Sequence, residues 1–165
     1  MSGTDKSLVG NEEYVARILS NSWVKNGVVQ QTAFTLRERE TYISVNRPAI
    51  PSFVSDVASF VRSHKNFLST NNGANSYQRA VLHVAMIRDI SVVVDNMPLS
   101  VDVEVEPRDT FSRSHAGIFT RHGSKNLKVG NTIAVGEEKN ISVDMVLLKV
   151  RLALVRLSSL ETCYI

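Results

Sequence analysis

The run SVDVEVEP at residues 100–107 constrains the fold most, because its polarity alternates from one residue to the next. A period of two predicts a half-buried β-strand, and the proline at its end stops the ladder. The acidic side predicts a solvated face. Alternatively, carboxylates about 6.6–6.8 Å apart could hold Mg²⁺ through waters or act as an acid and a base. The two sides of the strand are Val101, Val103 and Val105 against Asp102, Glu104 and Glu106.

The rest of the chain divides into periodic segments separated by turn residues. Three- and four-residue apolar spacing predicts helices, whereas β-branched runs and the Asn26-Gly27 dipeptide predict strands and a hairpin. The helices are predicted over 12–20, 52–68, 75–87 and 144–159, and the strands over 23–29, 41–47, 90–96, 100–107, 115–120 and 132–135. For the C-terminal segment a strand stays open as the alternative, because residues 149–152 alternate in polarity, whereas its length and its Leu and Ala content favour a helix. This order predicts an α+β fold: one domain with a largely antiparallel sheet and about four helices. Residues 1–10 are expected to form a flexible N-terminus, and 11–165 a single globular domain.

Composition narrows the class of protein. The chain has 165 residues, a formal net charge of +3 and one cysteine, so no intramolecular disulfide can form. No apolar run reaches the length of a membrane span and no signal peptide is evident, which indicates a cytoplasmic protein with no membrane partner. Nucleotide-binding glycine motifs and metal-ligand spacings are missing from the sequence, and therefore we expect no cofactor and no metal site.

The segment after the acidic strand has the opposite charge. Between residues 108 and 128 there are five Lys or Arg residues, one acidic residue and two histidines. Guanidinium groups suit phosphate, a neighbouring histidine such as His115 suits proton transfer, and Phe111 and Phe119 could stack on bases. The simpler interpretation is that the cations pair with the acidic strand beside them.

Two patches of the chain, roughly 23–47 and 101–119, share a pattern with other sequences. The matching positions are Trp23, Gly27, Val29, Ala33, Phe34, Leu36, Arg37, Glu40, Tyr42, Ser44, Val45, Arg47, Pro107, Ser114, His115, Ala116 and Ile118. In these patches the chain resembles a loose group of small uncharacterised bacterial proteins. The resemblance implies a bacterial origin and no particular function. It also groups Arg37, Ser44, Arg47, Ser114 and His115 as polar residues of one candidate site.

Three functions are compatible with these features. The first is a binding module for an anionic ligand or nucleic acid, with Arg37, Arg47, Arg113 and Arg121 as cations. The second is an enzyme acting on a phosphate ester or nucleotide, with His115 as general acid/base and Ser44 or Ser114 positioning the substrate. The third is a structural subunit of a homo-oligomer that uses the apolar C-terminal helix as its interface.

Overall fold

The alternating acidic run forms a strand whose valines enter the core. In the computed structural model, which describes residues 7–108 and 112–165, this strand pairs antiparallel with the strand that follows it. Val103 and Val105 are buried, whereas Asp102 is exposed and Glu104 and Glu106 are half-buried. The strand predicted from alternation is therefore confirmed.

The described residues contain fourteen strands and three α-helices. The strands are β1 Tyr14–Leu19, β2 Val24–Lys25, β3 Val28–Val29, β4 Tyr42–Asn46, β5 Ser69–Asn71, β6 Ala74–His83, β7 Val93–Val94, β8 Met97–Pro98, β9 Asp102–Pro107, β10 His115–His122, β11 Lys125–Asn126, β12 Thr132–Val135, β13 Lys139–Ser142 and β14 Ser159–Tyr164. The helices are α1 Phe53–Ser63, α2 Val84–Arg88 and α3 Val143–Leu157, and short 3-10 turns lie at Asn21–Trp23, Gln31–Phe34 and Lys65–Phe67.

One antiparallel sheet organises the molecule. Its strand order is β11-β10-β4-β1-β6-β14, with β9 added beside β10 and β5 beside β6. Three two-stranded hairpins, β2-β3, β7-β8 and β12-β13, lie outside it. The largely antiparallel α+β architecture predicted from the element order is confirmed.

Helices cover the two faces of the sheet unequally. On one face, α3 contributes its apolar stripe to the main core together with β1, β4, β6, β9 and β10; the stripe consists of Val143, Val146, Val150 and Leu154. On the other face, α1 packs Phe53, Val57 and Val61 against Ala16, Ile18 and Tyr77. Because the strand residues of this second cluster belong to β1 and β6, α1 covers that half of the face. The half formed by β4, β10 and β9 carries the candidate site.

The prediction of four helices is wrong, since the described residues contain three. The segment predicted as helix 12–20 is strand β1, and most of 75–87 is strand β6, followed by the short α2. Both strands are central and bury side chains on both faces, so their apolar residues lose the two-residue alternation that marks a half-buried strand. The turn between β5 and β6 is Asn72-Gly73, with both residues at positive φ, which is the hairpin signal also found at Asn26-Gly27.

The remaining segments agree more closely with the prediction. Helix α1 begins one residue after the predicted start and ends at Ser63, and α3 occupies most of the predicted C-terminal helix. The chain then forms an edge strand, β14, that the sequence did not predict. Of the N-terminal segment expected to be flexible, residues 1–6 lie outside the described part. The carbonyl oxygens of Ser7 and Val9 accept hydrogen bonds from Arg47 and Arg88, which connect this segment to the body of the fold.

Candidate ligand-binding site

Two aromatic rings form the floor of the candidate site. Tyr42 on β4 lies directly across from Phe119 on β10, and their ring centroids are 5.3 Å apart. Phe119 is buried and Tyr42 is half-buried. An aromatic pair on neighbouring antiparallel strands stabilises the sheet locally. It also gives this half of the face a flat apolar centre.

Two arginines lie over these rings. The guanidinium carbon of Arg108 is 4.5 Å from the centroid of Tyr42 and 5.3 Å from that of Phe119. The guanidinium carbon of Arg121 is 4.6 Å from the centroid of Phe119. These separations are within the range of cation–π contacts. The two cations thus cover the half of this face, formed by β4, β10 and β9, that α1 does not cover.

The aromatic floor depends on a glycine in the middle of β10. A β-carbon added to Gly117 would lie 2.7 Å from Tyr42 Cδ2 and 3.1 Å from Phe119 Cε2. Glycine within a strand often marks such a close approach. The absence of a side chain at this position allows the Tyr42 ring to lie against the β10 backbone.

The two arginines differ in their polar partners. Arg121 donates to both carboxylate oxygens of Glu106, each at 2.7 Å, and its Nε donates to Asn126 Oδ1 at 2.6 Å. By contrast, the buried Nε of Arg108 has no hydrogen-bond acceptor among the described residues, and no described carboxylate lies within ion-pair distance of Arg108. Among the described residues, Arg121 therefore has a direct counterion and Arg108 has none.

Glu106 is held in its charged form. Hydrogen bonds from Arg121 lower the pKa of the Glu106 carboxyl below its ordinary 4.5, and they outweigh partial burial, which acts in the opposite direction. The same contacts raise the pKa of Arg121. Neighbouring strands thus place opposite charges side by side, as the simpler interpretation of the basic segment expected.

His115 and Ser44 form a pair on the same face. His115 is 4% exposed, and its Nε2 lies 3.2 Å from Ser44 Oγ, a distance compatible with a hydrogen bond whose direction depends on the tautomer. The His115 ring also contacts Tyr42, with centroids 5.9 Å apart. The backbone of Ser44 is fixed in turn, because Arg17 Nη1 donates to its carbonyl oxygen at 2.9 Å.

Ser114 lies inside the protein, where its hydrogen bonds connect two elements of the fold. Its side chain is fully buried, and its Oγ donates to Asp56 Oδ2 at 2.7 Å and accepts from Asn46 Nδ2 at 2.9 Å. The same Asp56 oxygen accepts hydrogen bonds from the Ser114 backbone N–H and from Ser52 Oγ. These contacts join the first turn of α1 to the start of β10. The Ser114 hydroxyl has no exposed surface through which it could reach a ligand in this conformation.

Arg47 also lies inside the protein. It is 2% exposed and forms a bidentate pair with Glu13, at 3.0 Å from Nε and 2.9 Å from Nη2. Its Nη1 and Nη2 donate to the carbonyl oxygens of Ser7 and Leu8. Burial alone would raise the pKa of Glu13, but hydrogen bonds from Arg47 and from the Gly10 N–H outweigh burial and lower this pKa below 4.5. Arg47, directly after β4, therefore ties the N-terminal segment and Glu13, the residue before β1, to the end of β4.

The structure brings together only some of the predicted site residues. Ser44, His115 and Arg121 share the face with Tyr42 and Phe119, whereas Arg37 is exposed in a separate loop, where its backbone N–H donates to Glu40 Oε1. Arg113 is exposed in the segment before β10. Phe111, proposed above as a stacking residue, lies outside the described residues. The placement of Arg108 over the rings was missed because it depends on strand register, although its position two residues after Glu106 predicts the same side of β9.

Two surface clefts lie away from this face. One of about 270 Å³ is lined by Phe34, Leu36, Ile43, Asp144 and Arg151, among others, and one of about 330 Å³ lies between α2 and the end of α3. Neither cleft contains a predicted site residue. Within the described ranges there is no group of three or more His, Cys, Asp or Glu that could hold a metal ion.

Comparisons with protein-family models, with curated proteins and with solved structures found no match to this chain. None of the helices in the described part is both long and apolar enough to cross a membrane.

Proposed function

We propose that the protein is a binding module for single-stranded nucleic acid, and that the face defined by Tyr42, Phe119, Arg108 and Arg121 is its binding surface. The proposal depends mainly on one observation: the guanidinium of Arg108 lies over the ring of Tyr42, with no described carboxylate as its counterion. A guanidinium in this position offers one face to a base and its N–H groups to a phosphate.

The form of the surface supports the same function. Proteins that bind single strands combine aromatic side chains, on which bases stack, with cations that follow the phosphates. A β-sheet face with aromatic residues on adjacent strands provides such a flat platform. The formal net charge of +3 is modest, so we expect weak binding with a low salt dependence rather than the steep slope of a strongly basic domain.

Arg108→Gln tests the proposal by removing both the charge and the stacking cation. In fluorescence anisotropy with a labelled oligonucleotide of mixed sequence, we expect this variant to lose affinity about tenfold. We also expect the slope of log affinity against log salt concentration to fall by about one. Arg156→Gln is the matched control, since Arg156 is exposed on α3, on the opposite side of the sheet.

Arg108→Lys separates charge from stacking. It keeps the cation but loses the planar group, so it should retain the salt slope and still bind more weakly than the wild type. If the wild-type protein does not bind the oligonucleotide, or if the Arg108 and Arg156 variants lose affinity equally, the proposed surface is wrong.

The contact between His115 and Ser44 favours a second candidate, an enzyme acting on a phosphate ester or nucleotide. A serine hydroxyl 3.2 Å from an imidazole nitrogen is within the distance between a nucleophile and its base. In this reading His115 is the general base, Ser44 is the nucleophile and Arg108 stabilises phosphoryl charge. Any hydrolysis of nucleotides or p-nitrophenyl phosphate should then disappear in Ser44→Ala, a small change on a half-buried residue. Equal rates in wild type and variant would eliminate this candidate.

A further inference from the structure

The last strand of the sheet leaves one edge open. Strand β14 pairs with β6 on one side, and no strand among the described residues pairs with its other side. The Ile165 N–H donates to the Asn75 oxygen, so the odd-numbered residues of this segment direct their backbone groups towards β6. Leu160, Thr162 and Tyr164 consequently direct their N–H and C=O groups outwards.

Unlike the other edge of the sheet, β14 has few features that discourage pairing. Edge strands are commonly protected by proline, lysine or outward charges. Strand β9 at the opposite edge has three acidic residues and Pro107, whereas β14 contains no proline and no lysine. Its single charged residue, Glu161, has its carboxylate 3.5 Å from Arg79 on β6. Tyr164 is 75% exposed beside this edge.

We propose that β14 pairs antiparallel with β14 of a second copy of this chain, so that one sheet continues through a two-fold dimer. In the register centred on Thr162, this residue lies opposite Thr162 of the second copy. Leu160 then lies opposite Tyr164 of the second copy, and the reciprocal pair repeats the contact. All three outward-directed residues of each chain are hydrogen-bonded in this register. Each exposed Tyr164 ring also covers a half-buried Leu160.

The neighbouring registers are less favourable. A two-fold centre at Glu161 would place two like carboxylates directly opposite each other, which destabilises a strand pair. A centre at Cys163 would place Tyr164 opposite Thr162 of the second copy, so the contact between Tyr164 and Leu160 would be lost. The centre at Thr162 avoids both problems and places two threonines opposite each other, a favourable pair in sheets.

The register can be tested by disulfide cross-linking in a Cys163→Ser background. In a hydrogen-bonded antiparallel pair the opposite Cα atoms are about 5.5 Å apart, within the range of a disulfide. Thr162→Cys should therefore form covalent dimers on mild oxidation. Leu160→Cys is the matched control, because the two copies of residue 160 would be offset by about 13 Å along the strands. Faster cross-linking at 160 than at 162, or none at 162, would overturn the proposal.

Thr162→Pro tests the interface without an oxidant. The backbone N–H of Thr162 points away from β6, and an edge strand tolerates proline at a position whose N–H is not bonded within the sheet. By analytical ultracentrifugation we expect dimers for the wild type and for Thr162→Val, and monomers for Thr162→Pro with an unchanged circular dichroism spectrum. A monomeric wild type at high concentration, or a dimer that persists in the folded proline variant, would show that this edge is not the interface. If the proline variant unfolds, the comparison of cross-linking between Thr162→Cys and Leu160→Cys tests the interface instead.

Discussion

Gly117 lies so close beneath the ring of Tyr42 that any side chain at this position would displace the ring. The separation between an added β-carbon and Tyr42 Cδ2 would be 2.7 Å, well inside the contact distance of two carbon atoms. Since Tyr42 supports Arg108 at 4.5 Å, this backbone position determines the geometry of the proposed binding surface.

We predict that Gly117→Ala destabilises the protein by about 1–3 kcal/mol, because the Tyr42 ring must leave its position. The free energy of unfolding from urea titration measures the effect. In a Tyr42→Ala background the same substitution should cost less, since the main clash is removed. A double-mutant cycle with no interaction energy between positions 42 and 117 would contradict this explanation.

Glu13→Gln should destabilise the protein by about 3 kcal/mol, because it leaves the guanidinium of Arg47 buried without its counterion. Thermal or urea unfolding gives the magnitude. Glu12→Gln is the control, since Glu12 is an exposed neighbour and the substitution removes the same charge. Similar effects of the two substitutions would show that the Arg47 pair contributes nothing specific.

Glu106 should contribute to a pH dependence of stability. Its pKa in the folded protein lies below the ordinary 4.5, so the stabilisation from its pair with Arg121 is complete above about pH 4.5 and is lost as the pH falls through the folded-state pKa. We expect Glu106→Gln to be less stable than the wild type at pH 7 by about 1 kcal/mol or less, because the pair is partly exposed.

The difference between wild type and Glu106→Gln should narrow as the pH is lowered below 4.5, as followed by urea unfolding at a series of pH values. Glu138→Gln, at an exposed position between β12 and β13, controls for the loss of one negative charge. A difference that stays constant down to pH 2, or that grows as the pH falls, would contradict the assigned direction of the shift.

Sequence patterns predicted the elements that have one polar face and failed for those that have none. Strand β9 alternates visibly and α1 has a clear apolar stripe, so their types were correct. The helix favoured for α3 on length and composition was also correct, although local alternation left a strand open there. Strands β1 and β6 are central in the sheet, with apolar residues on both faces, and a short run of that kind is compatible with either a helix or a strand. The Asn72-Gly73 dipeptide was the available signal for the β5-β6 hairpin.

In the candidate site, too, some features follow from local sequence and others depend on the pairing of strands. Which residues share one face of β10 follows from the sequence, because strand side chains alternate. The partners of His115 and Tyr42 depend on the register between β4 and β10, which no local pattern encodes. Arg47 and Ser114 are buried in structural hydrogen bonds and not in the site. The sequence could not predict this, because their partners Glu13 and Asp56 are 34 and 58 residues away along the chain.

The sequence by itself determined that this chain forms an α+β domain with an acidic strand next to a basic one, since alternation and charge are local properties. Only the tertiary structure decided which arginines are paired inside the fold, and that Arg108 lies over the rings of both Tyr42 and Phe119. The physical reason is that counterions and stacking partners come from strands distant in sequence, and strand pairing alone brings them together.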